Sequence, residues 1–456
     1  MTCRCLEWSG ELCASVRDLF ALQKVKLGSG NRSAARRVGA HAQHTRNMPP
    51  TTDTPLVALG VMSSAGTSGQ ATAMQYVERR NKVRSQHRAF AHVLVTHVVE
   101  VRFLLGVAPN SSSADAALAL AKLNEEAELH KDILRLPMAD SRFSCARKPL
   151  LWYAHCAKAF PSARYYAVAD DDSYVHIERL ALDLRSLITN GAAASEDYVL
   201  WGFIMWYGVY NNITMVTHEA WGGWQTIDRG ARRQRQHLGI CRTDPSRRVC
   251  KKLAGWAKET LQSGGLSDVP PWPVANGPLF AVSRALGRVL VEDSIPANYL
   301  EALHRTPRVR KALARVGGPR KSNYGCWPVY DSVFGFWIAR VAEARGFVVR
   351  LVNTPGMVQH HPWPATVKGA FARTSIVMHG LKTSKPKTIA VLANIEQHVR
   401  RNESFIPFRR KCGRCDEMGW SSWPGSAHAK WQCCGCDYKA ESVKECEARM
   451  GQQQGS

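Results

Sequence analysis

The sequence predicts an α/β fold in which a mostly parallel sheet is flanked by helices. Three apolar runs, Leu56–Val61, Val98–Leu105 and Tyr165–Ala169, have the length and composition of buried strands. Helix-forming segments separate these runs, and strands that alternate with helices at this spacing are typical of a parallel sheet. Ligands of such sheets bind beyond the carboxyl ends of the strands, so the residues that follow each run are candidates for function.

Local signals define the elements of the N-terminal half. The segment Ser63–Gly66 ends the first run as a turn, and a basic helical stretch follows it. Ser113 is placed to cap a helix over Ala114–His130, which carries an approximate apolar stripe. Pro149 suits the first turn of a further helix that runs to Phe160.

The second half is less regular in its pattern. Residues 206–275 are rich in tryptophan and polar side chains, and they predict an elaborated loop region. Regularity returns with a strand over Leu279–Val282 and a helix capped by Ser283. A helix over Ser332–Arg345, closed by a glycine, then leads into the strand Phe347–Val352.

Composition and punctuation predict the domain organisation. The chain has 456 residues, 45% of them hydrophobic and 21% charged, which is typical of globular proteins and not of fibrous or disordered ones. We expect a disordered basic leader over residues 1–54, one large domain over residues 55–380, a linker over residues 381–411 and a Cys/Trp-rich tail module over residues 412–456. No secretory signal or membrane-spanning run of about 18 apolar residues is visible.

The formal net charge of +24 raises the question of a polyanionic partner. Residues 302–321 carry seven Lys or Arg and no acid, a patch that attracts phosphates or acidic surfaces. A solvated, charged loop explains the patch equally well. No helix-turn-helix, basic-region heptad or aromatic single-strand platform is apparent, so no nucleic-acid partner is expected.

The tail cysteines have two interpretations. Cys412 and Cys415 form one C-x2-C pair, and Cys433 and Cys436 form a second, a spacing that fits a four-thiolate zinc site. The same cysteines could form disulfides in a secreted chain. Four N-x-S/T triplets are compatible with a secretory lumen, in which disulfides would form. A zinc-ribbon protein that binds nucleic acid is kept as an alternative.

Three consecutive carboxylates, Asp170–Asp172, follow directly on the third apolar run. They repel one another unless a cation neutralises them, and Mg²⁺ or Mn²⁺ prefers oxygen ligands and leaves positions open for substrate phosphates. Such a cation would bridge a nucleotide diphosphate and stabilise the charge that builds on it as a leaving group. An exposed acidic turn without a metal is the alternative.

An ordered set of motifs resembles the beta-1,3-glycosyltransferases of the galactosyltransferase and N-acetylglucosaminyltransferase type, which form glycosyltransferase family 31, are related to the Fringe enzymes and have the GT-A fold. The motifs extend over residues 55–365. They are Val57–Ser63, Arg79 and Arg80 with Arg84, Arg102–Gly106, Glu125–Ser141, Trp152 with Cys156, Asp170–Asp172, Pro271–Ser283 and Tyr330–Gly335.

The resemblance implies an inverting hexosyltransferase that moves galactose or an N-acetylhexosamine from a UDP-sugar to a glycan hydroxyl. It implies Asp331 as the general base, which removes the hydroxyl proton, although a carboxylate there could instead cap a helix. It places Mn²⁺ or Mg²⁺ on Asp170 and Asp172, with His361 (or its neighbour His360) completing the site.

The remaining site residues also follow from the resemblance. The arginines Arg79, Arg80 and Arg84 would contact the donor phosphates, although they could instead form a solvated helix face. Asp170 and Asp171 would lie around the nucleotide. Trp272 and Gly277 would lie on the acceptor side.

The resemblance implies a UDP-sugar donor, a glycan or glycoprotein acceptor, and a location in the Golgi membrane or lumen. One departure is Tyr330, which stands where the family has Glu. A catalytically inactive, lectin-like or scaffold relative is therefore a further alternative.

Overall fold

The computed structural model describes residues 55–65, 70–91, 94, 98–107, 114–140, 145–189, 197–210, 213–218, 223–226, 269–305, 330–354, 358–359, 375–379, 411–414 and 431–435. All of them belong to a unit that begins at Asp53. The leader predicted over residues 1–54 lies outside the described residues, as does nearly all of the predicted linker.

The elements of this unit follow one another in chain order. The N-terminal half contains β1 (Val57–Met62), α1 (Gln70–Arg88), β2 (Val99–Val107), α2 (Ala114–His130), β3 (Ile133–Ala139), α3 (Arg147–Ala159), β4 (Tyr165–Asp170), β5 (Tyr174–Val175) and α4 (Ile177–Thr189). The rest contains β6 (Tyr198–Tyr210), β7 (Ile213–His218), β8 (Gly223–Thr226), β9 (Val269–Ser283), α5 (Arg284–Glu292), α6 (Ser294–Arg305), α7 (Tyr330–Arg345), β10 (Val349–Asn353), β11 (Val358–Gln359), β12 (Val377–Met378), β13 (Lys411–Arg414) and β14 (Trp431–Gly435).

The main sheet has the strand order β13-β14-β10-β6-β9-β4-β1-β2-β3. Strands β3, β2, β1 and β4 are parallel, as are β6, β10 and β14, while β9 runs antiparallel between the two groups. Because β1 is flanked by β2 and β4, the chain reverses its direction of winding there, and the carboxyl ends of the strands form one edge. The predicted mostly parallel α/β sheet is confirmed.

Two hydrophobic cores lie on the two faces of the sheet. One face packs against α1, α2 and α4 through residues such as Val83, Leu123 and Leu180. The other face packs against α3, α5 and α7 through residues such as Trp152 and Trp337. Alternate residues of each central strand enter opposite cores, which explains why these strands are continuous apolar runs.

Several predicted elements are confirmed in detail. The helix over Ala114–His130 has the predicted bounds, and Ser283 caps α5 by accepting a hydrogen bond from the backbone N–H of Leu286 at 3.3 Å. The loop predicted over residues 206–275 is corrected, because its two ends belong to strands β6 and β9, and β7 and β8 lie between them. Antiparallel pairing produces these strands: β6 with β7 and β7 with β8 are neighbouring pairs in the chain, whereas β9 pairs with β6 across a long separation in sequence.

The tail differs from the separate module predicted over residues 412–456. Strand β14 pairs in parallel with β10, and β13 pairs with β14, so both strands extend the main sheet. Trp431 and Cys434 are buried in the cores of opposite faces, and Arg350 donates to the side chain of Gln432 at 2.8 Å. The described part of the tail therefore belongs to the sheet.

Within the described ranges, none of the helices has both the length and the apolar composition that a bilayer span requires.

Candidate metal centre at the end of strand β4

The acidic triplet lies at the carboxyl edge of the sheet, where β4 ends. Asp170 is the last residue of β4, and the backbone N–H of Ser173 donates to the Asp170 carbonyl at 3.2 Å, which closes a tight turn. The side chains alternate, since Asp171 is buried whereas Asp170 and Asp172 are partly exposed. We call Asp170–Asp172 the acidic turn.

A small second sheet brings a histidine to the acidic turn. Strand β12 pairs with β5 directly after the turn, with Met378 opposite Tyr174. The backbone N–H of His176 donates to the carbonyl of Ile376 at 2.8 Å, which holds the same segment. His379 follows β12, and its Nε2 lies 3.2 Å from Asp172 Oδ1 and 3.5 Å from Asp170 Oδ2.

These three side chains form a group that fits a divalent cation. One ligand atom each from Asp170, Asp172 and His379 lies within 4.8 Å of the other two. Two carboxylate oxygens and an imidazole nitrogen suit Mn²⁺, and partial exposure leaves room for further oxygen ligands. The predicted ligands His361 and His360 lie outside the described residues.

His379 is a site residue that the sequence pattern does not predict. The only local signal is the short segment Val377-Met378-His379, in which two buried residues precede a histidine. A two-residue strand is too short for any periodicity, and its partner β5 lies about 200 residues earlier in the chain. Only the pairing of the two strands brings this histidine to the turn.

Asp171 has a different environment from its neighbours. Its Oδ2 accepts a hydrogen bond from Ser63 Oγ at 2.8 Å, and its Oδ1 accepts one from Arg79 Nη1 at 3.0 Å. Burial raises the pKa of this carboxyl above its usual value, while Arg79 and Ser63 oppose the rise. The structure therefore turns Asp171 inward, toward Ser63 and Arg79, and its contact with a nucleotide stays a prediction.

Arg80 and Arg84 are buried in a network of carboxylates. Arg80 forms a bidentate pair with Glu126 at 2.8 and 2.6 Å. Arg84 forms a bidentate pair with Asp132 at 2.7 and 2.8 Å and also donates to Glu126 at 2.7 Å. We call these four residues the arginine cluster.

The predicted phosphate contacts of Arg80 and Arg84 do not match this arrangement. The Arg80 side chain is 1% exposed and that of Arg84 is 8% exposed, so a donor phosphate would have to break a buried ion pair to reach either. Arg79 differs, because its side chain is more exposed and lies beside the acidic turn.

A lysine also lies near the acidic turn. Burial lowers the pKa of Lys82 to about 8, and the Asp172 carboxylate opposes that shift. Since α1 carries both Lys82 and Arg79, this helix brings positive charge close to the acidic turn.

The predicted base, Asp331, is described only by its backbone. It lies in the first turn of α7, which precedes the parallel strand β10 and so begins at the carboxyl edge of the sheet. Gly335 allows this helix to pack closely, because a Cβ at that position would lie 2.0 Å from the carbonyl oxygen of Pro273 on β9. Asp331 and the acidic turn therefore share one edge of the sheet.

The two predicted acceptor-side residues have separate environments. Trp272 is buried and packs edge-on against Phe336 of α7 with ring centroids 5.5 Å apart, and its acceptor-side role stays a prediction. Gly277 is partly exposed and has φ of 111°, a conformation that favours glycine. The register pairs Ala169 with Leu279, which places Gly277 just beyond the end of β4.

Comparisons with known proteins concern part of the chain. The family model described as Galactosyltransferase matches residues 78–207, a range that includes the C-terminal part of α1 and the acidic turn. The mouse (Mus musculus) protein Beta-1,3-galactosyltransferase 4 is 31% identical over 113 residues, which is 25% of this chain and 28% of that relative. The match thus spans less than a third of the relative's own length.

A solved structure of a UDP-glucose pyrophosphorylase complexed with UDP-glucose matches 56% of this chain and 88% of that chain. The identity is 9% and the TM-score is 0.22, a likeness too low to support an argument.

Proposed function

We propose that this chain, whose residues 78–207 match the galactosyltransferase family model, transfers a hexose from a UDP-sugar to a hydroxyl of a glycan with inversion. Galactose or an N-acetylhexosamine is the sugar we propose, and a beta-1,3 bond is the linkage. The observation that carries the proposal is the group formed by Asp170, Asp172 and His379. The two aspartates lie within the matched range, and the pairing of β12 with β5 brings His379 to them.

The acidic turn and His379 would hold the divalent cation of this reaction. When bound there, Mn²⁺ or Mg²⁺ supplies positive charge to the diphosphate as it leaves with the nucleotide. Asp170 and Asp172 would supply carboxylate oxygens and His379 an imidazole nitrogen. Arg79 and Lys82, on α1, add positive charge on the same side.

Asp331 is our candidate for the general base. Inversion requires a carboxylate on the acceptor side that removes the hydroxyl proton as the new bond forms. Its position in the first turn of α7, at the same edge as the acidic turn, supports this role.

The metal proposal is tested by substituting its ligands. Asp172→Asn and His379→Ala should each lower the Mn²⁺ affinity at least about tenfold, because each removes a ligand, while the fold is retained. The measurement is calorimetric titration of purified protein with Mn²⁺, followed by UDP release from a panel of UDP-sugars with simple glycoside acceptors. Unchanged Mn²⁺ affinity in both variants would contradict the assignment.

Two matched controls separate this effect from a general loss of charge. Asp293→Asn removes a carboxylate that pairs with Arg345, the last residue of α7. His155→Ala removes an imidazole that stacks on Trp152. Neither should change the Mn²⁺ affinity. UDP release by wild-type protein without an acceptor would indicate hydrolysis instead of transfer.

The base proposal has its own test. Asp331→Asn should lower kcat by about 10²- to 10⁴-fold with little change in donor affinity, since a base acts in the transition state. The variant is compared with the wild type by steady-state kinetics and by thermal unfolding. Near-normal turnover with a lower midpoint temperature of thermal unfolding would identify Asp331 as a helix cap instead.

We also propose that the chain works in the secretory pathway, in the Golgi membrane or lumen. Cys145 and Cys434 are both disulfide-bonded, and disulfides persist in oxidising compartments. Mass spectrometry of non-reduced protein would identify their partners and would also test zinc at Cys412, Cys415, Cys433 and Cys436.

A further inference from the structure

Ser63 connects the acidic turn to the first strand of the sheet. It follows β1 directly and is 4% exposed. Its hydroxyl donates to Asp171 Oδ2 at 2.8 Å and accepts a hydrogen bond from Arg80 Nη1 at 3.2 Å. One hydroxyl thus links the buried member of the acidic turn to the arginine cluster.

The backbone around Ser63 is also held by charged side chains. Lys148 Nζ, which is buried, donates to the Ser63 carbonyl at 2.5 Å and to Asp140 Oδ1 at 2.7 Å. Asp140 in turn accepts from the backbone N–H of Ala65 at 2.7 Å, and Arg80 donates to the Ser64 carbonyl at 2.9 Å. Three successive residues of the loop after β1 are therefore fixed by buried ions.

We infer that Ser63 is a positioning residue that holds the acidic turn in the conformation in which Asp170 and Asp172 face His379. Lys148 and Asp140 in turn hold the backbone of Ser63 in place. The turn alternates in direction, so the inward anchoring of Asp171 leaves Asp170 and Asp172 to face His379. A buried carboxylate that keeps both of its hydrogen bonds stays in place, whereas one that loses a donor reorients toward water. The geometry of the two ligands then depends on a hydroxyl that contacts neither.

This inference rests on the proposed function only for the identity of the ion. The anchoring itself is a property of the metal-free protein, so it can be measured without metal, nucleotide or turnover. Partners that orient metal ligands typically change metal affinity by about 10- to 100-fold when they are removed. We expect a loss in that range for Mn²⁺.

The test compares three serine variants of the full chain. Ser63→Ala removes the donor to Asp171, and Ser63→Thr retains a hydroxyl at the same position. Ser186→Ala is the matched control, because Ser186 is also buried but donates to the backbone carbonyl of Asp183 within α4. Hydrogen exchange of the segment that contains the acidic turn is followed by mass spectrometry without metal, and Mn²⁺ affinity is then measured by calorimetry.

Ser63→Ala should accelerate exchange in the acidic turn by about tenfold and weaken Mn²⁺ binding. Ser63→Thr, which retains the hydroxyl, should keep both values near those of the wild type. Ser186→Ala should leave both values at the wild-type level. If exchange in the acidic turn of Ser63→Ala is as slow as in the wild type, the inference is overturned. It is also overturned if exchange accelerates equally throughout the chain. If wild-type protein binds no Mn²⁺, the proposed function fails, and the exchange result still decides the inference.

Lys148→Gln provides an independent arm. It should accelerate exchange in both the loop after β1 and the acidic turn, because it frees the Ser63 carbonyl. Acceleration in the loop alone would overturn the part of the inference that concerns Lys148. If this variant does not fold, the Ser63 variants remain decisive.

Discussion

The arginine cluster and the acidic turn lie on either side of Ser63, and they are built in opposite ways. The arginine cluster pairs each guanidinium with carboxylates of opposite sign, within a buried region. The acidic turn places like charges side by side, and the side chains of Asp170 and His379 are 28% and 22% exposed. Balanced charge that is buried stabilises the fold, whereas like charge left near solvent is suited to a cation.

The contrast shows that the charge of a sequence motif does not by itself identify a ligand site. Three arginines close in sequence suggest a phosphate site, and the structure gives two of them buried carboxylates instead. Their role is to join α1 to α2 and to the start of β3.

The largest effect is expected from Arg84→Met. The change leaves Glu126 and Asp132 buried without one of their cations, and breaking a buried ion pair from one side costs about 3–5 kcal/mol in unfolding free energy. The Mn²⁺ affinity of the folded protein should be unchanged. Denaturant unfolding and calorimetry give the two values.

Unchanged stability of Arg84→Met together with weaker Mn²⁺ binding would make Arg84 part of the binding site. The arginine cluster and the acidic turn would then no longer differ in role. Arg340→Met is the matched control, since Arg340 pairs with Glu343 on the surface of α7 with side chains 47% and 54% exposed. Such an exposed pair contributes about 0.5 kcal/mol or less.

Trp431→Ala tests whether the tail belongs to the same folded unit. Trp431 is the first residue of β14 and is buried in one of the two cores, and removing a buried Trp side chain costs about 3 kcal/mol. We expect one cooperative unfolding transition at a lower denaturant concentration. Two transitions, with only the smaller one shifted, would restore the separate module predicted over residues 412–456.

Acid should destabilise the α1 side of the sheet through a buried histidine. Burial lowers the pKa of His87 to about 4, with Asp132 opposing the shift, so the folded state holds this imidazole neutral. The unfolded chain takes up the proton below about pH 6.5, so the stability contributed by neutral His87 is present above that pH and is lost as the pH falls toward 4.

At pH 5 this linkage amounts to about 2 kcal/mol, which is the smallest of the three effects. His87→Phe should reduce the fall in unfolding free energy between pH 7 and pH 5, as measured by denaturant unfolding at several pH values. A fall as steep as that of the wild type would assign the acid sensitivity to other groups.

Much of the fold could be predicted from the sequence by itself. The three apolar runs are strands, Ala114–His130 is a helix with the predicted bounds, and Ser283 caps α5. The acidic residues were placed correctly at the end of β4. These features depend on residues close together in the chain, where strand length, capping and turn chemistry act locally.

Other features were decided only by the tertiary structure. His379 reaches the acidic turn through the pairing of β12 with β5, β14 joins the sheet beside β10, and Trp272 is buried against α7. Each depends on contacts between distant segments. The sequence determined which chemical groups could bind a cation or a phosphate, and long-range packing decided which of them are available, because burial and partners are properties of the folded chain.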